Sequence, residues 1–385
     1  MYSKNAVFIA ACLGMFLFGV VFLSLGTVSV FIQEKFLPDP IRVASLASSL
    51  PVGILVGSLL FGPMVDRYGY KLLLILSAGT ILLAFELIAF ARSFTLLQIS
   101  FFLIGAGGGM INGGTNALVA DISSGEKSAR LSLLGVFYGI GALGMPLVIG
   151  SLTQIFSYEA IIAAVGLFVI IPCGYFIWIK FPEPRHKQGL PVTEVFSLLK
   201  EPVLILIGLV LFFESALEGI TGNWTTTYLK SGPLTMENAL FALSLQVAAI
   251  TAARFLLSYV LRSISSPVVM YLSFALVFTG AVLLILFSSL PMVLLAMVCL
   301  GAGFAAGFPV MLGYVGELYA KITGTAFSIV IVMALAGNSL FNYLVGLLSE
   351  AWGIRYFPVI MVFCVLCMAL LYTKVISKIS RKIKV

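Results

Sequence analysis

The chain is short of charge. Asp, Glu, Lys and Arg make up 10% of its 385 residues, against about 25% in an ordinary soluble domain. Hydrophobic residues make up 61%, a balance that excludes a water-soluble fold. Histidine is almost missing: His186 stands alone in a polar stretch, where it reads as a solvated residue. The five cysteines, Cys12, Cys173, Cys299, Cys364 and Cys367, all fall inside apolar runs, so no disulfide is expected. Cys364 and Cys367 have CxxC spacing but no further ligand nearby, and read as packing residues rather than a metal site. Nucleophile–base constellations, metal-ligand clusters and attached soluble domains are also lacking, which argues against an enzyme and implies no cofactor. The net charge of +7 would suggest nucleic acid in a soluble protein. Here it follows from loop topology, and no nucleic-acid partner is expected.

What the chain has is long, continuous apolar runs. A transmembrane barrel would alternate polar and apolar residues, so these runs are helices. Twelve spans are predicted at about 5–33, 41–65, 71–92, 94–122, 128–155, 158–180, 199–229, 236–262, 266–287, 290–318, 321–349 and 354–375, each long enough for a ~30 Å hydrocarbon core. The first run is too long for the apolar part of a cleavable signal peptide and opens a full span. Residues 181–198, charged and Pro-containing, divide the chain into an N-terminal six-helix bundle (1–180) and a C-terminal one (199–385). Lys and Arg concentrate in the even-numbered connections and at both ends, which predicts cytoplasmic termini and a cytoplasmic central loop. The halves repeat at an ungapped offset of 196 residues (222 − 26), pairing Gly26 with Gly222, Gly105 with Gly301, Gly107 with Gly303, Ser132 with Ser328, Gly141 with Gly337 and Gly150 with Gly346. The expected fold is an all-α membrane protein in which the two halves are pseudo-symmetric, an architecture that places a site near the bilayer midplane.

Span 7 breaks the apolar rule. Glu214 and Glu218 sit one helical turn apart on one face, and an acid at bilayer depth marks a substrate or ion path by default. Two carboxylates so close in a low dielectric cannot both ionise cheaply, so one is expected to hold its proton more tightly and the pair to titrate as a unit. Glu218 is read as the proton-coupling group with Glu214 as its partner. Glu214 as an interhelical hydrogen-bonding group, or as the partner of Arg254, stays open. Arg254 is a buried charge in span 8 that can snorkel, pair with an acid or meet an anionic substrate. Glu86 in span 3 reads as structural.

Between spans 2 and 3 stand Gly62, Asp66, Arg67, Gly69 and Lys71. This loop resembles the signature of the major facilitator superfamily, and with twelve spans in a duplicated arrangement the chain is identified as a member over its whole length. The resemblance implies the major facilitator fold and a gate at this loop. Gly62 allows close helix approach, and Asp66 can pair with Arg or cap the next helix. The second-half copy at Ser258–Arg262 lacks the glycine and the acid, so the latch is asymmetric. Asp121 ends span 4 as Glu317 ends span 10; with Arg130 they complete the gating set. In span 5, Gly135, Gly139, Gly141, Gly144 and Pro146 resemble the motif of the superfamily's drug antiporters, and are read first as a small-residue packing seam.

Span 4, with Gly105–Gly109, Asn112 and Asn116, resembles the fucose:proton symporter branch of the superfamily, as does Glu218-x5-Trp224-x3-Tyr228 in span 7. That branch has Glu where this chain has Asn112, and its fucose carrier has an acid in span 1 that is absent here, so any coupling is expected to have moved to span 7. Amides and aromatic rings suit a hydroxyl-rich neutral ligand. The candidate substrate set is Asn112, Asn116, Tyr138, Asn223, Trp224, Tyr228, Gln246, Tyr314, Asn338 and Asn342. The expected function is proton-coupled alternating-access transport of a small polar solute, a sugar or sugar-like compound, by a monomer in the bilayer of a bacterial cytoplasmic membrane, with sodium the less favoured ion. The rivals are efflux of lipophilic drugs and translocation of a lipid or amphiphile.

Overall fold

A computed structural model describes residues 2–36, 40–184 and 197–383 of the protein. Every regular element among the described residues is helical. The first half contains α1 (Lys4–Phe36), α2 (Pro40–Tyr68), α3 (Tyr70–Ala89), α4 (Phe94–Ile122), α5 (Lys127–Leu152), α6 (Tyr158–Phe168) and α7 (Ile170–Trp178). The second contains α8 (Pro202–Lys230), α9 (Met236–Ser263), α10 (Ser266–Leu286), α11 (Leu290–Phe304), α12 (Gly307–Leu318), α13 (Thr323–Trp352) and α14 (Phe357–Ile383), the last entered through a short 3-10 turn at Ile354–Tyr356. Among the described residues, twelve stretches are long and apolar enough to cross a membrane, and they follow the predicted spans to within a few residues. Most of the central connection, with His186, lies outside the described residues.

Among the described residues, two spans break in mid-course. Span 6 breaks at Val169, whose N–H turns back to the carbonyl of Gly166 at 3.0 Å, just before Pro172 in the first turn of α7. Span 10 breaks at Ala305 and Ala306, just before Pro309 in the first turn of α12. Proline lacks the N–H that the fourth residue before it needs and crowds that residue's carbonyl. Pro51, Pro63 and Pro146 nevertheless lie inside unbroken helices, so the two breaks mark places where the surrounding packing accepts the interruption.

Packing divides the chain into two compact units. Unit 1 is Met1–Ile122, Phe137–Pro191 and Tyr319–Ser328; unit 2 is Ser123–Val136, Val192–Leu318 and Ile329–Val385. Each therefore includes one helix end from the opposite half of the sequence. In unit 1, α2 and α4 touch along a glycine seam. Any side chain at Gly53 or Gly57 would collide with the carbonyls of Phe102 or Ala106, and any at Gly105 or Gly109 with those of Leu50 or Ile54. Apolar burial gives little drive between helices in lipid, so close backbone contact of this kind carries the packing. In unit 2 the related seam keeps Gly301 against the carbonyl of Gln246, while Ala249, Ala253 and Ala305 stand where the first half has Gly53, Gly57 and Gly109. Large apolar side chains such as Leu147, Ile171 and Leu370 stay exposed along the spans, a surface suited to lipid contact.

Candidate functional site

The charged site of unit 2 is built on α8 and α9. Glu218 Oε1 accepts from Arg254 Nη2 at 3.2 Å; the Arg254 side chain is 9% exposed and that of Glu218 27%. Arg254 is held from a third side: Ser132 on α5 donates to its backbone carbonyl at 2.8 Å, and Gly135 leaves room for the guanidinium stem. Of the readings left open for Arg254, pairing with an acid is the one observed, and the acid is Glu218 rather than Glu214. Glu214 points elsewhere. It is 1% exposed, and its carboxyl occupies the space that a side chain on Gly307 would need at the start of α12.

One turn further along α8 lies an amide ladder. Asn223 Nδ2 and Trp224 Nε1 both donate to Asn342 Oδ1, at 2.9 and 3.2 Å. Asn342 Nδ2 in turn donates to the carbonyl and Oδ1 of Asn338, each at 2.9 Å. Gly219 lets Asn338 lie flat against α8. The structure thus brings Asn223, Trp224, Asn338 and Asn342 together. Three other candidates in unit 2 are engaged apart from this ladder. Tyr228 donates to the carbonyl of Leu284 at 2.7 Å and packs on Phe357. Tyr314 meets Tyr372, hydroxyl to hydroxyl, at 3.3 Å. Gln246 is buried where α9 meets Gly301 of α11.

Unit 1 holds a matching i, i+4 amide pair: Asn116 Nδ2 donates to the carbonyl of Asn112 at 2.8 Å and to its Oδ1 at 3.1 Å. Tyr138 packs with Phe18 and Phe22, ring centroids 5.5 and 6.0 Å away. Of the span 5 glycines, Gly141 lies on the carbonyl of Phe16, opposite Gly19 on that of Tyr138, whereas Gly144 has open space beside it. Glu86 lies against Gly166, next to the break in span 6.

Among the residues read as a gate, Asp66 forms a cap on a helix other than the one expected. Asp66 does not cap the following helix; Gly69 holds that position without a side-chain bond. Its carboxylate accepts from the N–H of Gly324 at 3.3 Å, the N–H of Thr325 at 2.9 Å and the Thr325 hydroxyl at 2.6 Å. These N–H groups open α13, where the ladder begins only with Ala326 bonding to Ile322, so they have no partner of their own. Asp66 supplies it, aided by the positive end of the helix. Gly62, one turn back, lets the two helices touch. Arg67 is exposed over the ring of Tyr68. Lys71 caps the other side, donating to the carbonyls of Ile177 and Ile179 at the end of α7. Asp121 accepts from the Tyr70 hydroxyl at 2.6 Å, beside a cavity of about 80 Å³ that Asp66 also lines. In unit 2 the repeat puts Arg262 where Asp66 stands, 3.7 Å from Glu126, both nearly half exposed; a pair so exposed contributes about 0–1 kcal/mol. Arg130 lies near the start of α5, and Glu317 is exposed near the end of α12.

Sequence reasoning missed Thr325, Gly307 and the two serines. Ser132 donates to the carbonyl of Arg254, and Ser328 to the carbonyl of Ser58. Both donors and both acceptors are 196 apart (328 − 132, 254 − 58). The same hydrogen bond therefore occurs once in each unit. The repeat offset had paired the serines; their use was the part left unread.

Twelve apolar spans among the described residues, most of their few interior charges engaged by partners, define a multi-pass integral membrane protein. A model of the Major Facilitator Superfamily matches residues 7–287: the chain belongs to that superfamily, and is a transporter rather than an enzyme. It is similar to the uncharacterized MFS-type transporter YfkL of Bacillus subtilis (25% identical; 89% of this chain, 88% of that one). It is also similar to the glucose/mannose transporter GlcP of the same organism (23%; 86% and 85%). The multidrug resistance protein MdtG of Proteus mirabilis matches over a shorter stretch (31%; 47% and 46%). Among solved structures, the E. coli fucose:proton symporter FucP superposes with a TM-score of 0.78 over 97% of this chain and 98% of that one, at 18% identity.

Proposed function

We propose that the protein is a secondary active transporter that moves a sugar or sugar-like solute by proton-coupled alternating access, in the cytoplasmic membrane of a bacterium with both termini inside. The observation that carries this reading is the ladder of Asn223, Trp224, Asn342 and Asn338 beside the Glu218–Arg254 pair. Amides that both donate and accept, next to an indole face, match the alternating hydroxyls and apolar ring faces of a sugar. Asn112, Asn116 and Tyr138 give unit 1 groups of the same kind. The likeness to a glucose/mannose transporter and the fold of a fucose:proton symporter support the same class. Coupling is assigned to the span 7 carboxylates, because spans 1 and 4 supply no acid near the midplane.

Drug efflux is the second reading, favoured by the match to MdtG. Against it, Gly135 and Gly141 of span 5 are engaged in close packing. Binding of a panel of monosaccharides, nucleosides and lipophilic cations to the purified protein separates the two. A monosaccharide is expected to bind, and Asn342→Leu to weaken it at least ~10-fold, since two donors lose their acceptor. Binding of lipophilic cations alone refutes the sugar reading.

A further inference from the structure

The break in span 10 leaves Ala305 and Ala306 outside both helices and wholly buried. A helix interrupted inside a membrane strands carbonyls at the end of one piece and N–H groups at the start of the next. Such a break persists only where protein or enclosed water meets those groups. In many transporters, broken helices of this kind form the ion site.

The carboxyl that lies at this break is Glu214. It fills the space left by the missing side chain of Gly307. It is 1% exposed, and its Oε1 has no hydrogen-bond partner. The charged groups that act on it are Glu218, on its own helix, and Arg254 on α9. Arg254 is already engaged by Glu218 at 3.2 Å. The other helices near α8 carry their charges elsewhere: Glu317 near the end of α12, Glu350 near the end of α13, and Lys374, Lys378, Arg381 and Lys382 far along α14.

We propose that Glu214, rather than Glu218, is the proton site of the transporter, and that it carries one proton per transport cycle. The inference rests on the proton-coupled reading above and refines it. A carboxylate enclosed without a cation paired to it gains most from a proton, because neutralisation removes the cost of burying its charge. The acid so formed also gains an O–H donor to offer to a carbonyl released by the break. A proton on Glu218 does the opposite: it strips Arg254 of its counter-charge and leaves a buried guanidinium unpaired. Glu218 therefore stays ionised as the fixed partner of Arg254, while Glu214 takes a proton from water on one side and returns it on the other. One such carboxyl implies one proton per cycle.

The test needs no substrate, and its first arm uses the unaltered chain. The purified full-length protein is treated with dicyclohexylcarbodiimide, which modifies protonated carboxyl groups in apolar surroundings, over a range of pH. Fragment mass spectrometry then separates Glu214 from Glu218. The expected adduct is on Glu214, at least ~10-fold above Glu218, and it declines as pH rises. In Arg254→Gln, Glu218 loses its partner and is expected to take label as well. Label on Glu218 with Glu214 blank, or on neither at any pH, overturns the assignment. The substrate reading fails separately: label on Glu214 with no monosaccharide bound keeps the proton site and removes the sugar.

Discussion

Replacing Asp66 with asparagine tests how the start of α13 is held. The change keeps the size of the side chain and removes its charge and one acceptor oxygen. The carboxylate now accepts three hydrogen bonds, two of them from N–H groups at the helix start, and is 3% exposed. Hydrogen bonds to a charged group contribute about 1.5–3 kcal/mol each. In Asp66→Asn the single carbonyl oxygen can keep Thr325, but the amide NH2 then faces the N–H of Gly324, donor against donor. The net loss is about 2–3 kcal/mol, or about 30- to 150-fold in the local opening constant. Amide hydrogen exchange of the segment 320–328, measured on the purified protein, reads that constant directly. Asp66→Glu, longer by one methylene, should recover part of the protection. If exchange across 320–328 changes less than about threefold in Asp66→Asn, the carboxylate is not what holds this helix end, and the cap argument fails.

Three further outcomes follow from the packing. Ser132→Ala and Ser328→Ala should each cost about 1 kcal/mol, and their similarity, read as the fall in thermal midpoint, checks the equivalence of the two bonds. Arg254→Leu leaves Glu218 without its partner and should destabilise the protein by about 1–3 kcal/mol, less than for a fully enclosed pair because Glu218 is partly exposed; adding Glu218→Gln should restore most of the loss, and a double variant no better than the single one contradicts the pairing. Gly109→Val puts a branched side chain against the carbonyl of Ile54 and should abolish a monodisperse preparation, whereas Gly79→Val, with open space around it, should not.

Much of the architecture could be read from residues alone, because bilayer thickness fixes helix length and the apolar runs are long. The repeat offset was equally legible, and it even selected the two serines that make equivalent bonds. The site was harder. Glu214 and Glu218 share a face by sequence, yet residues four apart still differ by about 40° around the axis and about 6 Å along it. That difference sends Glu218 to Arg254 and Glu214 to Gly307. Asp66 finds its partners more than 250 positions away, as the 259 between it and Thr325 illustrate, and no local pattern announces that. The helix breaks were hidden for another reason. Four spans carry five prolines in their interior or in a first turn just past a break, and only Pro172 and Pro309 stand next to breaks; which ring is absorbed and which interrupts depends on what packs beside it.

The two serine bonds share a further property: both end on main-chain oxygen. A joint made to the backbone places no demand on the side chain at the accepting position. Ser58 and Arg254 occupy equivalent places in the repeat and receive the same bond, yet one is a small neutral residue and the other a long cation. The duplicated scaffold could therefore acquire a charge at position 254 in one copy without loosening the contact that both copies use. Symmetry in this protein resides in the main chain, and that leaves the side chains free to give the two halves different chemistry.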